Sequence, residues 1–127
     1  MNLEEIGKLL QAEVLTGQYN TGVEVGNVMA SDLMSDVLSF CCSGALLITG
    51  LASAQAVRTA EVADLCAVVF ARGKKPTEET IRLAKEMKIP LFATKLPMYE
   101  ACGVLYSNGL KTVQTLKTND GRRRVVS

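Results

Sequence analysis

The sequence predicts an α/β domain built on a mainly parallel sheet, with a three-layer-like arrangement of helices and strands. Three short apolar runs, ALLITG (45–50), CAVVFA (66–71) and PLFAT (90–94), alternate with two segments of helical periodicity. A run that is apolar on both faces is typical of a strand covered on both sides, as in parallel sheets. Because a parallel pair needs a crossover, usually a helix, the alternation predicts consecutive right-handed βαβ units.

The residues before these units predict two further helices and two strands. A first helix begins after Asn2, which is a suitable N-cap, and a short strand follows at 13–17. A second strand ends near Ala30. A short helix, DLMSDVLSF, comes next, and we expect either Ser31 or Asp32 to be its N-cap.

Two helices of the second half have clear end signals. Thr77 follows a proline and precedes two glutamates, which predicts the N-cap and the first turn of a helix. The last helix starts at Pro97, since proline fits a first turn, and ends at Asn108 and Gly109.

Chain length and charge predict one domain followed by a basic tail. Residues 1–110 hold nine Lys and Arg against twelve Asp and Glu, whereas residues 111–127 hold five against one. We therefore expect an α/β domain at 1–110 and a flexible, solvated tail at 111–127. A basic tail can contact nucleic acid, but an acidic body lacks the basic face that such binding needs, so no nucleic-acid partner is expected.

Membrane and export signals are not apparent in the sequence. No run approaches the roughly 18 consecutive apolar residues that span a bilayer. The first ten residues, MNLEEIGKLL, are acidic and amphipathic, unlike the basic and then apolar order of a signal peptide. We therefore expect a cytoplasmic protein that does not contact the membrane.

The chain has four cysteines and no histidine. The cysteines make no CxxC pair, which argues against a structural zinc ion. The adjacent Cys41 and Cys42 have three interpretations: they are reduced thiols of a cytosolic protein, they are a redox-active pair, or they hold a cluster together with thiolates of a partner.

Catalytic motifs are missing from the sequence. Neither GxxxxGK[ST] nor GxGxxG after a strand is found, and without histidine no Ser-His or Cys-His pair is possible. Asp32 and Asp36 lie one turn apart and suggest a metal site or an acid/base pair, but a cap and an exposed helix face explain them more simply. We expect no catalytic residue, no metal and no cofactor.

The loops after the three central strands contain the candidate binding residues. In an open α/β sheet, ligands bind outside the carboxyl ends of the strands. These loops supply small residues, hydroxyls, cations and helix N-termini, which together suit an anion, most naturally a phosphate. Short loops that bind nothing use the same residue types. The candidate ligand-binding residues are Thr49, Gly50, Ser53, Arg72, Gly73, Lys74, Thr94 and Lys95.

Four stretches carry a resemblance to a known family: VMASDLMSDVLSF, GALLITG, CAVVFARGKKP and PLFATKLPMYEACGVL. The chain resembles DRTGG domains over residues 1–110, and most of all the single-domain members found beside iron-hydrogenase genes. The resemblance also implies a fold similar to the N-terminal domain of HPr kinase/phosphorylase. Where the family has Asp-Arg after Gly50 this chain has Leu51-Ala52, and its Thr-Gly-Gly turn is here Ala71-Arg72-Gly73.

The resemblance implies a regulatory or accessory module and not an enzyme. DRTGG domains paired with CBS domains are linked to adenine-nucleotide regulation, and family members resemble homodimers. We therefore expect a homodimer that acts through a partner protein and senses a phosphate-bearing, adenine nucleotide-like ligand. The alternative is a pure interaction or assembly protein for a redox enzyme such as an iron hydrogenase, with no small-molecule ligand.

Overall fold

The computed structural model describes residues 1–113, 116–117 and 123–124, the last four by their backbone alone. The helices in these residues are α1 (Leu3–Leu9), α2 (Met34–Phe40), α3 (Ala54–Val62), α4 (Glu78–Met87) and α5 (Met98–Ser107). The strands are β1 (Glu13–Val14), β2 (Asn27–Ala30), β3 (Leu46–Thr49), β4 (Ala67–Phe70), β5 (Leu91–Ala93), β6 (Lys111–Thr112), β7 (Leu116–Lys117) and β8 (Arg123–Arg124). Strands β7 and β8 form a separate antiparallel pair.

The main sheet has the strand order β1-β5-β4-β3-β2-β6. Strands β2 to β6 are parallel, and β1 pairs antiparallel with β5 at one edge. Register pairs such as Leu46 with Ala67 and Val68 with Leu91 place the three predicted central strands side by side and in the same direction. The prediction of a mainly parallel α/β sheet is confirmed.

Helices cover the sheet on both faces, which makes three layers. The successive connections α2, α3 and α4 pack on one face, and α1 and α5 pack on the other. Side chains of β3 alternate between these layers: Leu47 belongs to the first core, and Leu46 and Ile48 belong to the second. All three are fully buried, because each side of the strand is covered.

The N-caps predicted for α1 and α4 are present in the structure, and the one predicted for α2 is not. The Asn2 side chain accepts a hydrogen bond from the Glu5 amide at 2.9 Å, and Thr77 caps α4 through the Thr80 amide at 3.3 Å. The predicted cap of α2 is wrong. Its N-cap residue is Leu33, without a side-chain bond, because the Asp32 carboxylate binds a neighbouring loop instead.

The sheet extends past residue 110. The Lys111 amide donates to the Gly26 carbonyl at 3.0 Å, the Thr112 carbonyl accepts from the Asn27 side chain at 2.9 Å, and Val113 is buried. The predicted flexible tail lies for the most part outside the described residues, at 114–115, 118–122 and 125–127. Among the helices that the structure describes, the longest has ten residues, and none could cross a membrane.

Candidate functional site

The eight predicted binding residues all lie at the carboxyl edge of the sheet. Because β3, β4 and β5 are parallel, the loops that follow them leave the sheet on the same side. Thr49 ends β3, and Ser53 is the N-cap residue of α3. The other six are Gly50 directly after β3, Arg72, Gly73 and Lys74 after β4, and Thr94 and Lys95 after β5.

Backbone hydrogen bonds join the three loops into one rim. The Ala71 amide donates to the Thr49 carbonyl at 3.0 Å, which ties the end of β4 to the end of β3. The Arg72 amide donates to the Leu96 carbonyl at 2.9 Å, and the Gly73 amide donates to the Thr94 carbonyl at 2.6 Å. The turn after β4 is therefore held between its two neighbours.

Asp32 extends this rim to the end of β2. Its Oδ1 accepts a hydrogen bond from the Gly50 amide at 2.6 Å and another from the Thr49 hydroxyl at 3.1 Å. A Cβ atom at Gly50 would lie 3.3 Å from that oxygen, so glycine allows the close approach. Sequence reasoning missed this role, although the position of Asp32 just after a predicted strand was the available signal.

Four of the predicted residues use their polar groups inside the protein. Thr49 and Thr94 are fully buried, and the Thr94 hydroxyl donates to the Leu10 carbonyl at 2.7 Å. The amides of Gly50 and Gly73 already donate to Asp32 and Thr94. These four groups hold the rim together, so they are not free donors for an anion.

The other four predicted residues have polar groups that could bind an anion. Arg72, Lys74 and Lys95 are exposed, and none forms an ion pair within the described residues, whereas Lys75 pairs with Glu13 at 2.6 Å. The Ser53 hydroxyl oxygen is buried and has no hydrogen-bond partner there.

The start of α3 adds backbone donors to these groups. Its first two amides, Ala54 and Gln55, donate to no group in the part of the chain that the structure describes. A helix N-terminus with free amides attracts negative charge.

The backbone at Arg72 is unusual. Arg72 has φ of 60° and Gly73 has φ of 70°, so two consecutive residues are left-handed. The other non-glycine residues with positive φ in residues 1–113 follow helix ends, where this conformation is common. They are Gln11, Asp64 and Lys88. Of these four non-glycine residues, only Arg72 follows a strand and not a helix, and it lies at the rim.

A cavity of about 520 Å³ lies at the opposite edge of the sheet, near the amino ends of β4 and β5. Its lining includes Gln18, Asn20, Cys66, Lys85 and Lys88. Sequence reasoning did not find it, because its wall combines a loop and a helix end that are far apart in the chain. Burial raises the pKa of the Cys66 thiol to about 11, so this thiol stays protonated at neutral pH.

A second concavity, of about 380 Å³, lies beside α5 and above β2 and β6. The strand order changes direction between these two strands, which is where open α/β sheets commonly bind ligands. Among the ten described residues that line it, only Lys111 is charged, so this part of the concavity suits apolar contacts and not a phosphate.

Within the described part of the chain, no three His, Cys, Asp or Glu side chains come together as metal ligands would. Burial raises the pKa of the Cys41 thiol, which lowers its thiolate fraction and its reactivity.

The fold and the rim define a three-layer α/β domain with an open, mainly parallel sheet. The profile of the DRTGG domain matches residues 5–107, and the chain belongs to this family. No curated protein matches the chain.

A solved structure with a similar fold contains the CBS and DRTGG domains of the regulatory region of Clostridium perfringens pyrophosphatase, complexed with its activator, diadenosine tetraphosphate. The TM-score is 0.68 at 17% sequence identity, and the similarity covers 91% of this chain and 52% of that one. The chain therefore spans about half the length of that regulatory region.

Proposed function

We propose that the protein is a non-catalytic regulatory module that senses a phosphate-bearing, adenine nucleotide-like ligand and acts, as a homodimer, through a partner protein. The observation that carries the ligand proposal is the set of exposed cations, Arg72, Lys74 and Lys95, on the same edge as the α3 N-terminus. The DRTGG structure of similar fold comes from a regulatory region with a nucleotide activator, which supports the same class of function.

The ligand would contact the groups that the fold leaves free. The two amides at the start of α3 and the Ser53 hydroxyl would donate to phosphate oxygens, and the three cations would offset their charge. Asp32, Thr49 and Thr94 would hold the loops of the rim in place through their hydrogen bonds. The predicted contributions of Thr49, Gly50, Gly73 and Thr94 are in this proposal structural, since their polar groups are already bonded.

Thermal unfolding with candidate ligands tests the proposal. ATP, ADP, AMP, diadenosine tetraphosphate and inorganic pyrophosphate would be added singly to the full chain. A ligand present at 100 times its dissociation constant stabilises the folded state by about 2.7 kcal/mol. We expect a rise in melting temperature with at least one adenine nucleotide, and we expect Lys74→Ala and Lys95→Ala to reduce it.

Lys85→Ala and Lys88→Ala are matched controls, because these exposed lysines line the cavity at the opposite edge of the sheet. They should leave the ligand-induced shift unchanged. A shift that is lost only in these two variants would place the ligand in that cavity and contradict the proposed rim.

The second candidate function is a protein-interaction or assembly factor for a redox enzyme such as an iron hydrogenase, without a small-molecule ligand. The internally bonded amides of Gly50 and Gly73 favour this candidate, because the rim has fewer free donors than the sequence suggests. If no phosphate compound moves the melting temperature, this second function replaces the first.

A further inference from the structure

The cavity of about 520 Å³ at the amino edge of the sheet has the size of a ligand site. Pockets for small molecules usually have volumes of about 300–1,000 Å³ and combine an apolar wall with a few polar groups that point inward. This cavity lies between two segments that are distant in the chain, the loop 15–24 and the turn from the end of α4 to β5. Neither segment belongs to the rim, so the cavity is separate from the proposed nucleotide site.

Three contacts hold the loop 15–24 over the cavity. The Thr16 hydroxyl oxygen accepts a hydrogen bond from the first amide of β5 at 3.2 Å, and the Val23 carbonyl accepts one from the first amide of α1 at 3.2 Å. Between them, the Tyr19 ring meets the Phe92 ring edge-on, with 5.3 Å between the ring centroids. Because the loop is tied at both ends and in the middle, the cavity is formed before a ligand binds, which lowers the cost of ordering the site.

Two lysines give the mouth of the cavity a positive charge. Lys85 and Lys88 line it at the end of α4, and both are exposed. Neither forms an ion pair within residues 1–113, and no Asp or Glu is among the described residues that line the cavity. The dipole of α4 favours cations at this helix end, but it does not explain why no carboxylate balances them across the cavity. A bound anion would provide that balance.

The rest of the described wall is uncharged. Leu3, Val23 and Ile89 contribute apolar side chains, and Gln18 and Asn20 contribute amides. A molecule with an apolar body and one anionic end matches this division between an apolar wall and a positive mouth.

The backbone at the end of α4 offers no free donor to an anion. The Lys88 and Ile89 amides donate to carbonyls of the last turn of α4, and Pro90, which follows, has no amide hydrogen. The negative end of the α4 dipole also lies here. These features suit the single charge of a carboxylate better than a phosphate, which carries about 1.5–2 negative charges near neutral pH.

We propose that this cavity binds a small carboxylate with an apolar body, as a second site in addition to the nucleotide site of the rim. The apolar body lies against Leu3, Val23 and Ile89, and the carboxylate lies at the mouth with Lys85 and Lys88. The proposal goes beyond the proposed function, because it concerns the other edge of the sheet and another class of ligand.

Titration calorimetry of the full chain with octanoate tests the proposal. Octanol, octylammonium and octyl phosphate share its hydrocarbon tail but have a neutral, a cationic and a phosphate head group, so they isolate the contribution of the carboxylate. We expect one octanoate per chain and weaker binding of the other three. Lys85→Ala and Lys88→Ala should each weaken octanoate binding roughly twofold to fivefold, as the loss of an exposed ion pair does.

Lys111→Ala is the matched control for the two lysine variants. Lys111 is also exposed and forms no ion pair within residues 1–113, but it lies on β6, at the far end of the sheet from β5. This variant should bind octanoate as tightly as the wild type.

Protection of Cys66 locates the bound octanoate without any substitution. Cys66 lines this cavity, whereas Cys102 lines the concavity beside α5 and is the internal control. Burial raises the pKa of both thiols, so their alkylation by N-ethylmaleimide is followed by mass spectrometry at about pH 9. Octanoate at ten times its dissociation constant should slow the alkylation of Cys66 about tenfold and leave that of Cys102 unchanged.

Three results would contradict the proposal. They are binding of octanol or octyl phosphate that is as tight as that of octanoate, unchanged affinity in both Lys85→Ala and Lys88→Ala, and equal alkylation of Cys66 with and without octanoate. No nucleotide is present in these measurements, so a failure of this site is distinguishable from a failure of the nucleotide site at the rim.

Discussion

Arg72 keeps a large charged side chain where the backbone favours glycine. Its φ of 60° costs an L residue roughly 1–2 kcal/mol relative to the right-handed region. The family resemblance implies glycine at this position of the Thr-Gly-Gly turn, and glycine would adopt the conformation freely. Retaining arginine at this cost indicates that its guanidinium has a use, which in our proposal is to bind phosphate.

Replacement of Arg72 by glycine should therefore separate stability from binding. We expect Arg72→Gly to raise the free energy of unfolding by about 0.5–1 kcal/mol, because the strain disappears while the unfolded chain gains some entropy. Arg72→Ala keeps the strain and should not be stabilised. Both variants should lose nucleotide binding, measured by titration calorimetry. A stabilised Arg72→Gly variant that binds nucleotide like the wild type would show that the side chain has no part in the site.

Asp32 should matter for stability and Asp36 should not. Asp32→Ala leaves the Gly50 amide without its 2.6 Å acceptor and the buried Thr49 hydroxyl without its own. We expect a loss of about 1–2 kcal/mol in urea unfolding, within the range for a buried donor that is left without its acceptor. Asp36→Ala is the control, because no side-chain bond is described for Asp36. Equal losses in the two variants would mean that the bonds of Asp32 carry no specific stability.

At the scale of elements, strands and helices were predictable where a local pattern decides them. The runs 45–50, 66–71 and 90–94 became central strands because a residue that is buried on either face must be apolar. The Thr77 cap was predictable because its partner is three residues away. The cap of α2 was not, because the partner of Asp32 is a loop amide 18 positions further on. The hydrogen bonds of the Gly50 and Gly73 amides were not predictable for the same reason, since their acceptors are also distant in the sequence.

The starts of α3 and α4 should respond differently to loss of their N-cap hydroxyls. Thr77 caps α4, so Thr77→Ala should cost about 1 kcal/mol of stability. Ser53 makes no cap bond, and its buried oxygen has no described partner. We expect Ser53→Ala to leave the unfolding free energy unchanged or slightly higher while it weakens nucleotide binding. Chemical denaturation and titration calorimetry measure the two effects, and a destabilised Ser53→Ala variant with normal binding would refute this assignment.

At the scale of the whole molecule, the sheet edge next to β2 was not predictable from sequence. Strand β6 has only two residues, Lys111 and Thr112, both polar enough to be taken for the start of a tail. Its place follows from α5, which crosses the second face of the sheet from β5 to the far side of β2. No local pattern encodes a crossover of that length, so the order of the strands had to come from the structure.

Whether the folded domain ends at residue 110 or at residue 113 therefore depends on how much β6 stabilises it. We expect a chain of residues 1–113 to be more stable than a chain of residues 1–110 by about 2 kcal/mol. The longer chain keeps the buried side chain of Val113, worth roughly 1.5–3 kcal/mol, and the bond from Lys111 to Gly26. Urea unfolding of the two chains measures the difference. Val113→Ala in the full chain should show part of the same loss, and equal stability of the two truncated chains would place the domain boundary at 110 after all.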